Sequence, residues 1–231
     1  MAKGKKYKES AAKFDNEKLH SPAEAIDLVK SFAGTKFDQT IDIAIQLGVD
    51  PSKADQIVRG TVALPAGTGK TVRIAVFAEG DAAAAAKEAG ADFVGSQDLV
   101  EQIEGGMMDF DLCIATPELM PLVGKLGRAL GPRGLMPNPK TGTVTPDVAK
   151  AVGQFKGGMV EYRTDKDGNV HVSIGKASFS AEDVQSNYKT LVSEIIKARP
   201  ASTKGKYVKK ASLSLTMSPG VKIDASRIDE I

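Results

Sequence analysis

The sequence predicts a two-domain protein of mixed α/β and α+β class: a split antiparallel α+β domain holding both chain ends, with a Rossmann-like parallel α/β domain inserted into it. Three observations predict this. Strand-like segments near both ends alternate apolar with polar residues, as strands with one solvated face do, whereas the middle of the chain holds short, nearly unbroken apolar runs, as strands covered on both faces do. Those middle runs alternate with helical patterns, the arrangement a parallel sheet requires. Breaks containing glycine bound the middle, so the domains are read as residues 1–66 with 159–231, and 67–158. Gly67, Gly157 and Gly158, at the two crossings, are the expected hinge.

Ser21-Pro22-Ala23-Glu24 is a helix start: Ser21 can cap, Pro22 suits the first helical position, and Glu24 can reach back to complete a capping box. Ile26, Val29 and Phe32 or Ala33 follow at helical spacing, and Gly34 ends the helix. Ile41, Ile43, Ile45 and Leu47 then alternate with Thr40, Asp42, Ala44 and Gln46, a half-buried strand. Asp50-Pro51-Ser52 turns the chain, Thr61–Leu64 reads as the partner strand, and Pro65–Gly69 breaks the structure. Beyond the break, Val72–Phe77 is an almost continuous apolar strand. Asp81 is positioned to cap a helix that stops at Gly90. Phe93-Val94 is a short strand, Ser96 opens a helix bearing Leu99, Val100 and Ile103, and Leu112–Ala115 is another buried strand. A Leu/Met-rich helix runs from Pro117, and Pro146-Asp147-Val148 begins a helix reaching Phe155. The alternating pattern then returns. Val160–Arg163 and Val170–Ile174 flank Asp167-Gly168, a hairpin signal. Ser180 caps a helix whose Val184, Tyr188, Leu191 and Ile195 share one face. The final strand sets Leu213, Leu215 and Met217 against Ser212, Ser214, Thr216 and Ser218.

A chain of 231 residues has room for two cores, and its apolar (42%) and charged (26%) fractions are those of an ordinary globular protein. No apolar run approaches the roughly 20 residues that span a bilayer, so no membrane partner is expected. The opening Met1-Ala2-Lys3-Gly4-Lys5-Lys6 lacks the hydrophobic segment of a secretory signal. Cys113 is the only cysteine, which excludes an internal disulfide and fits a reducing cytoplasm. The net charge of +2 hides an uneven distribution. Residues 67–158 carry 9 basic and 11 acidic side chains, leaving 22 and 18 for the rest. From Ile195 to Ile223 there is no acid but there are seven bases: Lys197, Arg199, Lys204, Lys206, Lys209, Lys210 and Lys222. Lys3, Lys5, Lys6 and Lys8 add to them at the N-terminus. Such local excess is the footprint of a polyanion partner, or else a solvated basic tail.

Little in the chain argues for catalysis. Gly67-Thr68-Gly69-Lys70-Thr71 matches a phosphate-binding loop only in part: the Walker pattern needs glycine where Leu64 stands, and its loop must open a helix, whereas Thr71 leads into a strand. A nucleotide-dependent enzyme, the competing reading, would need a phosphate-cradling loop after the first middle strand. Ala78-Glu79-Gly80-Asp81 puts acids there instead. His20 and His171 have no Cys or His at metal-ligand spacing, and Cys113 sits inside a buried strand. No metal or other cofactor is expected, and the chain is read as a non-enzyme. Leu130–Lys140, with three prolines and two bases, reads as a stiff clamp over the α/β sheet or as a loop facing protein or RNA. The last strand is the best site candidate. Its row of small hydroxyls suits phosphates, sugar hydroxyls and base edges, with Lys209 and Lys210 beside it for backbone charge. Lys36-Phe37-Asp38 adds a base, a stacking ring and an acceptor just ahead of the first strand.

Lys36-Phe37-Asp38-Gln39-Thr40 with Val58–Pro65, the loop Gly131–Lys140, Gly175-Lys176-Ala177-Ser178-Phe179 and Ser214–Gly220 together resemble the bacterial ribosomal L-one family, through essentially the whole chain. The resemblance implies two domains, of which the one with both termini grips large-subunit rRNA at the stalk, beside the tRNA exit site. It implies binding to the protein's own messenger RNA with repression of its translation, deacylated tRNA at the exit site as a further partner, and a monomer within the ribosome. By motif, the RNA-contacting positions would be Lys36, Phe37, Thr40 and Lys53, then Lys166 and Gly168 on the hairpin, and Ser214, Thr216, Met217 and Ser218 at the last strand. Two positions depart from the family pattern: Ser218 stands where glycine is usual, and Lys53 lies in a turn where arginine is common.

Overall fold

The computed structural model describes residues 4–230. Helix α1 (Lys5–Ala11) buries no side chain. Helix α2 (Pro22–Ser31) begins with the expected capping box: the Glu24 N–H donates to the Ser21 hydroxyl at 3.4 Å and the Ser21 N–H to the Glu24 carboxylate at 3.3 Å. Strand β1 (Thr40–Leu47) alternates half-buried and buried residues along its whole length, and β2 (Arg59–Ala63) follows. Next come β3 (Ile74–Phe77), α3 (Gly80–Glu88), β4 (Phe93–Gly95), α4 (Gln97–Glu104) and β5 (Leu112–Ala115). Asp81 does not cap α3. The helix starts one residue earlier, so Asp81 lies in its first turn, where its charge still faces the positive end of the dipole. The helix expected from Pro117 is broken into a 3-10 turn at Pro117–Leu119, α5 (Met120–Lys125) and α6 (Gly127–Leu130). Gly124 and Gly127 flank the break, where helix propensity is lowest. Helix α7 (Val148–Lys156) is capped by Asp147, whose carboxylate accepts the Lys150 N–H at 3.1 Å. The chain ends with β6 (Met159–Arg163), β7 (Asn169–Lys176), α8 (Ala181–Lys197), β8 (Val208–Leu215) and β9 (Val221–Ile223).

The chain divides into two compact units, Met1–Gly69 with Val160–Ile231, and Lys70–Met159. In the first, an antiparallel sheet has the order β7-β1-β8-β9, and β2 pairs with β6 in a separate two-stranded sheet. Two expectations are corrected here. The segment Thr61–Leu64 was expected to partner β1, but β1 lies between β7 and β8 and β2 goes to β6. The Asp167-Gly168 turn does form, with Gly168 at φ +78°, yet its two arms share only one bridge, Thr164 to Val170, before parting into different sheets. Local turn chemistry sets the reversal, whereas long-range burial decides where each arm goes.

One face of the four-stranded sheet is sealed. Ile41, Ile43, Ile45 and Leu47 of β1 join Ile26 and Val29 of α2 and Val184, Tyr188, Leu191 and Ile195 of α8 in one core. The β9 edge is covered by His20, whose N–H donates to Lys222 O at 3.1 Å and whose carbonyl accepts the Asp224 N–H at 3.0 Å. Within the apolar stripe of α8 sits Asn187, fully buried. Its carboxamide accepts the Ala66 N–H at 3.0 Å and donates to Gly67 O at 2.9 Å and Ile174 O at 2.8 Å. Gly67 is therefore fastened to α8 rather than standing free between the units.

In the second unit the parallel sheet has the order β4-β3-β5, the middle strand first in sequence, as in doubly wound folds. Every residue of β3 is buried. Ala75 and Phe77 pack with Leu99, Ile103 and Val123 on one side, and Ile74 and Val76 with Ala86, Val152 and Phe155 on the other. Among the described residues no helix is long and apolar enough to cross a membrane.

Candidate nucleic-acid interface

The second face of the four-stranded sheet carries polar side chains that stay exposed or half-buried. Because β1 is antiparallel to both neighbours, the register fixes rows across it. Lys176 stands beside Thr40; Ser173, Asp42 and Ser214 form the next row; His171, Ala44, Ser212 and Lys222 the next; Asn169, Gln46 and Lys210 the last. Hydrogen bonds stiffen the rows: Ser173 Oγ donates to Asp42 Oδ1 at 2.6 Å, and Lys176 Nζ to Thr40 Oγ1 at 3.1 Å. The face thus presents hydroxyls, amides and ammonium groups in a fixed array.

At the end where β1 starts, the structure gathers Lys36, Phe37, Thr40, Thr216, Met217 and Ser218. The expected alternation stops at Leu215, where β8 ends; Thr216 and Met217 form a turn, so Met217 leaves the apolar phase and is 62% exposed. This corrects the placement of Met217 with Leu213 and Leu215. The turn is tightly held. The Thr216 N–H donates to Thr40 O at 3.2 Å, the Thr40 N–H to Thr216 Oγ1 at 3.1 Å, and the Met217 N–H to the buried Gln39 Oε1 at 3.1 Å. Phe37 is 53% exposed in the bend before β1. Asp38 anchors that bend by accepting the Ser178 N–H at 3.1 Å and its hydroxyl at 2.7 Å. Two large apolar side chains, Phe37 and Met217, thus stand in solvent on segments pinned by these hydrogen bonds. Helix α1 lines a groove beside Thr216–Ser218. Lys6 of α1 and Lys13 just beyond it reach to Gly34 O (2.7 Å) and Ser31 O (3.2 Å) at the end of α2.

Lys53, Lys166 and Gly168 lie instead at the far end of β1, about 23 Å away for seven residues of strand. Lys53 is exposed and pairs with Asp50 at 3.6 Å; Lys166 is exposed in the turn. Gly168 is buried, and its carbonyl accepts the Leu47 N–H at 2.9 Å. A Cβ on Gly168 would come within 3.3 Å of Val49 O. Its part is to bring the hairpin against β1. Ser214 sits between the two ends. The motif-derived residues therefore form two groups on one sheet, joined by Ser173, Asp42, His171, Gln46, Ser212 and Lys176. Periodicity within β7 marks several of those as outward-facing, but only the cross-strand register puts them in the same array.

In the second unit, the loop Gly131–Lys140 divides. Leu135 and Met136 pack on the core, and the Asn138 N–H donates to Thr143 Oγ1 at 2.7 Å beside the buried Thr141, as a clamp would require. Pro132, Arg133, Gly134 and Lys140 stay exposed. Cys113 is buried, and burial pushes its thiol far above its ordinary range. Among the described residues no three His, Cys, Asp or Glu side chains converge as metal ligands. Gly67 and Gly69 adopt positive φ, and the segment after them enters β3 rather than a helix.

The sequence profile of the Ribosomal protein L1p/L10e family matches residues 29–219. The chain belongs to this family. Relatives of the L1p/L10e chain named "Large ribosomal subunit protein uL1" include one from Mycobacteroides abscessus, 58% identical over 225 residues that cover 97% of this chain and 96% of the relative. Another, from Corynebacterium urealyticum, is 58% identical over 220 residues (95% and 92%), and one from Cutibacterium acnes is 57% identical over 224 residues (97% of each). These are names of ribosomal proteins, not of enzymes. The Ser218 side chain is held within the loop: its Oγ accepts the Leu215 N–H at 3.0 Å and donates to Pro219 O at 3.1 Å.

Proposed function

We propose that this chain is a protein of the large ribosomal subunit that grips the stalk region of large-subunit rRNA, near the tRNA exit site, with the open face of its four-stranded sheet. The observation that carries the reading is the pair of exposed apolar side chains, Phe37 and Met217, held rigidly beside a hydroxyl-lined, lysine-bearing strand surface. Lysines (Lys36, Lys53 and Lys166 among them) neutralise phosphates and set the position of the RNA. Thr40, Ser214 and Thr216 offer hydroxyls to sugars and base edges, and Phe37 and Met217 pack against unstacked bases, the contacts that folded RNA favours over groove reading. Gly168 and Ser218 act through the loops they close. The same face takes a similar fold in the protein's own messenger RNA and so represses translation; deacylated tRNA at the exit site is the remaining RNA partner. The protein works as a monomer within the ribosome, with Gly67, Gly157 and Gly158 marking the crossings between its units.

The test is titration of transcribed stalk rRNA and of the messenger leader, at fixed salt, with wild-type protein, Thr216→Val and Met217→Asp. Both variants are expected to lose roughly tenfold in affinity, about 1.4 kcal/mol; Met217→Asp should leave thermal unfolding unchanged, while Thr216→Val also gives up the acceptor of the Thr40 N–H and should unfold slightly earlier. Wild-type affinity from both would reject the surface. Equal wild-type affinity for stalk rRNA and an unrelated hairpin would reject the function.

A further inference from the structure

The same sheet face holds a second feature, at the end away from Met217 and next to the β9 edge. A groove of about 850 Å³ opens there. Its floor includes Ala44, whose small side chain lies between His171 and Ser212 in the cross-strand row and leaves the sheet surface recessed. Around it stand Lys206, Lys209, Lys210 and Lys222, facing two acids, Glu17 and Asp224. Only part of that positive charge is answered. Lys222 meets Glu17 at 3.6 Å, but the Glu17 side chain is 89% exposed and can swing aside. Asp224 is engaged by the Ser226 N–H at 2.9 Å and hydroxyl at 2.6 Å. Among the described residues Lys209 and Lys210 have no acidic partner. These lysines sit on strands or tight connections, so their Cα atoms are held in place.

We propose that this groove is a second RNA subsite, which takes a phosphodiester backbone by charge alone and supplies affinity without sequence preference, while the Phe37–Met217 end supplies the discrimination. The division follows from what each end contains. Near Met217 there are exposed apolar groups and fixed backbone geometry, which distinguish one RNA shape from another. In the groove, flexible ammonium groups surround a recessed and largely apolar floor that includes Ala44, Ala211 and the exposed Leu19, and the charges around it suit a phosphate chain of any sequence. An acidic protein segment offers the same charge but not the regular spacing of phosphates along which four lysines can align. RNA is therefore the occupant to which the groove is assigned.

The inference rests on the proposed RNA-binding function, and the experiment separates the two. Affinity for stalk rRNA and for an unrelated RNA hairpin is measured by fluorescence anisotropy between about 50 and 200 mM salt. The proteins are the full chain, Lys209→Ala, Lys210→Ala, the double variant and its Lys→Arg counterpart. Each lost phosphate contact should lower the slope of log K against log salt by roughly 0.7 to 0.9, about threefold in affinity over that range. The reduction should be the same for both RNAs, leaving the specificity ratio intact, and Lys→Arg should restore the slope. Met217→Ala, which removes the apolar contact without adding charge, should do the reverse, cutting the ratio while leaving the slope alone. Unchanged slopes in the double variant, with normal wild-type binding, would overturn the subsite. So would a loss confined to stalk rRNA, or displacement of both RNAs by polyglutamate as effectively as by polyuridine. Failure of the wild-type protein to prefer stalk rRNA would instead overturn the function beneath it.

Discussion

The parallel sheet and the four-stranded antiparallel sheet put alanine to opposite uses. Ala75, central in the parallel sheet, is fully buried between Phe93 and Cys113, with cores on both sides of its strand. Ala44, central in the antiparallel sheet, has a core behind its strand and the open groove in front. A strand sealed on both faces has no surface left for recognition. A strand sealed on one face keeps every second residue available, and β1 fills those positions with Thr40, Asp42, Ala44 and Gln46. The comparison breaks if the two alanines respond alike to the same substitution. Ala75→Asp should cost several kcal/mol, comparable with the whole stability of a small domain, because an isolated carboxylate would lose its water without gaining a partner. Ala44→Asp should cost under about 1 kcal/mol, yet weaken RNA binding by placing like charge in the groove. Urea unfolding and RNA titration of both variants measure the contrast.

Asn187 sharpens the comparison from inside the first unit. It is a polar residue in an otherwise apolar stripe, and it satisfies three main-chain groups at once. Asn187→Leu keeps the number of side-chain heavy atoms but leaves the Ala66 N–H and the Gly67 and Ile174 carbonyls unsatisfied, a loss of roughly 3 kcal/mol. A two-state melt that shifts by less than a third of this would show that water replaces the carboxamide. At the hairpin, Gly168→Ala should cost about 1 to 2 kcal/mol from its positive φ and the crowding at Val49 O. Lys166→Ala should leave stability alone and weaken RNA binding. Equal melting temperatures for Gly168→Ala and wild type would remove the turn-closing part assigned to that glycine.

Much of this contrast was legible in the sequence, because burial on one or two faces writes a period of two or an unbroken apolar run directly into the residues. The alternation through Ile41, Ile43, Ile45 and Leu47 and the apolar run from Ile74 to Phe77 both mark their strands correctly. The capping box at Ser21 forms and Ser180 caps its helix, since capping is settled within four residues. What stayed hidden depended on distant partners. Nothing local says that Thr61–Leu64 leaves β1 for β6, or that the arms of the Asp167-Gly168 turn part company. Met217 illustrates the limit best. Its phase matches Leu215, but β8 ends there, two residues earlier, because Thr216 and Gln39 capture the backbone, and a residue read as core becomes one of the most exposed apolar side chains. The array of Ser173, Asp42 and Ser214 was equally invisible, since it exists only once β1 is in register with two strands that each lie more than a hundred residues further along the chain.

The smallest expected effect concerns Asp165, which organises the hairpin beside the lysine end of the open face. Its carboxylate accepts the Asp167 N–H at 2.9 Å, the Asn169 N–H at 2.8 Å and Asn169 Nδ2 at 3.1 Å, and it lies 3.4 Å from His171 Nε2. Partial burial works against its ionisation, but the Asn169 and Asp167 donors, with His171, outweigh that and hold the group below the usual carboxylate range. A carboxylate whose folded value is depressed stabilises the fold above its unfolded value and loses that contribution as pH falls through the folded one. The turn from Asp165 to Asn169 should therefore loosen on acidification before the sheet does. Amide hydrogen exchange at Asp167 and Asn169, followed downward through the carboxylate range, should show protection falling there first. Asp165→Asn should flatten the dependence, because an amide cannot gain a proton in that range. If both amides keep full protection until the whole unit unfolds, the turn does not depend on the charge, and its order must come from Gly168 and the strands alone.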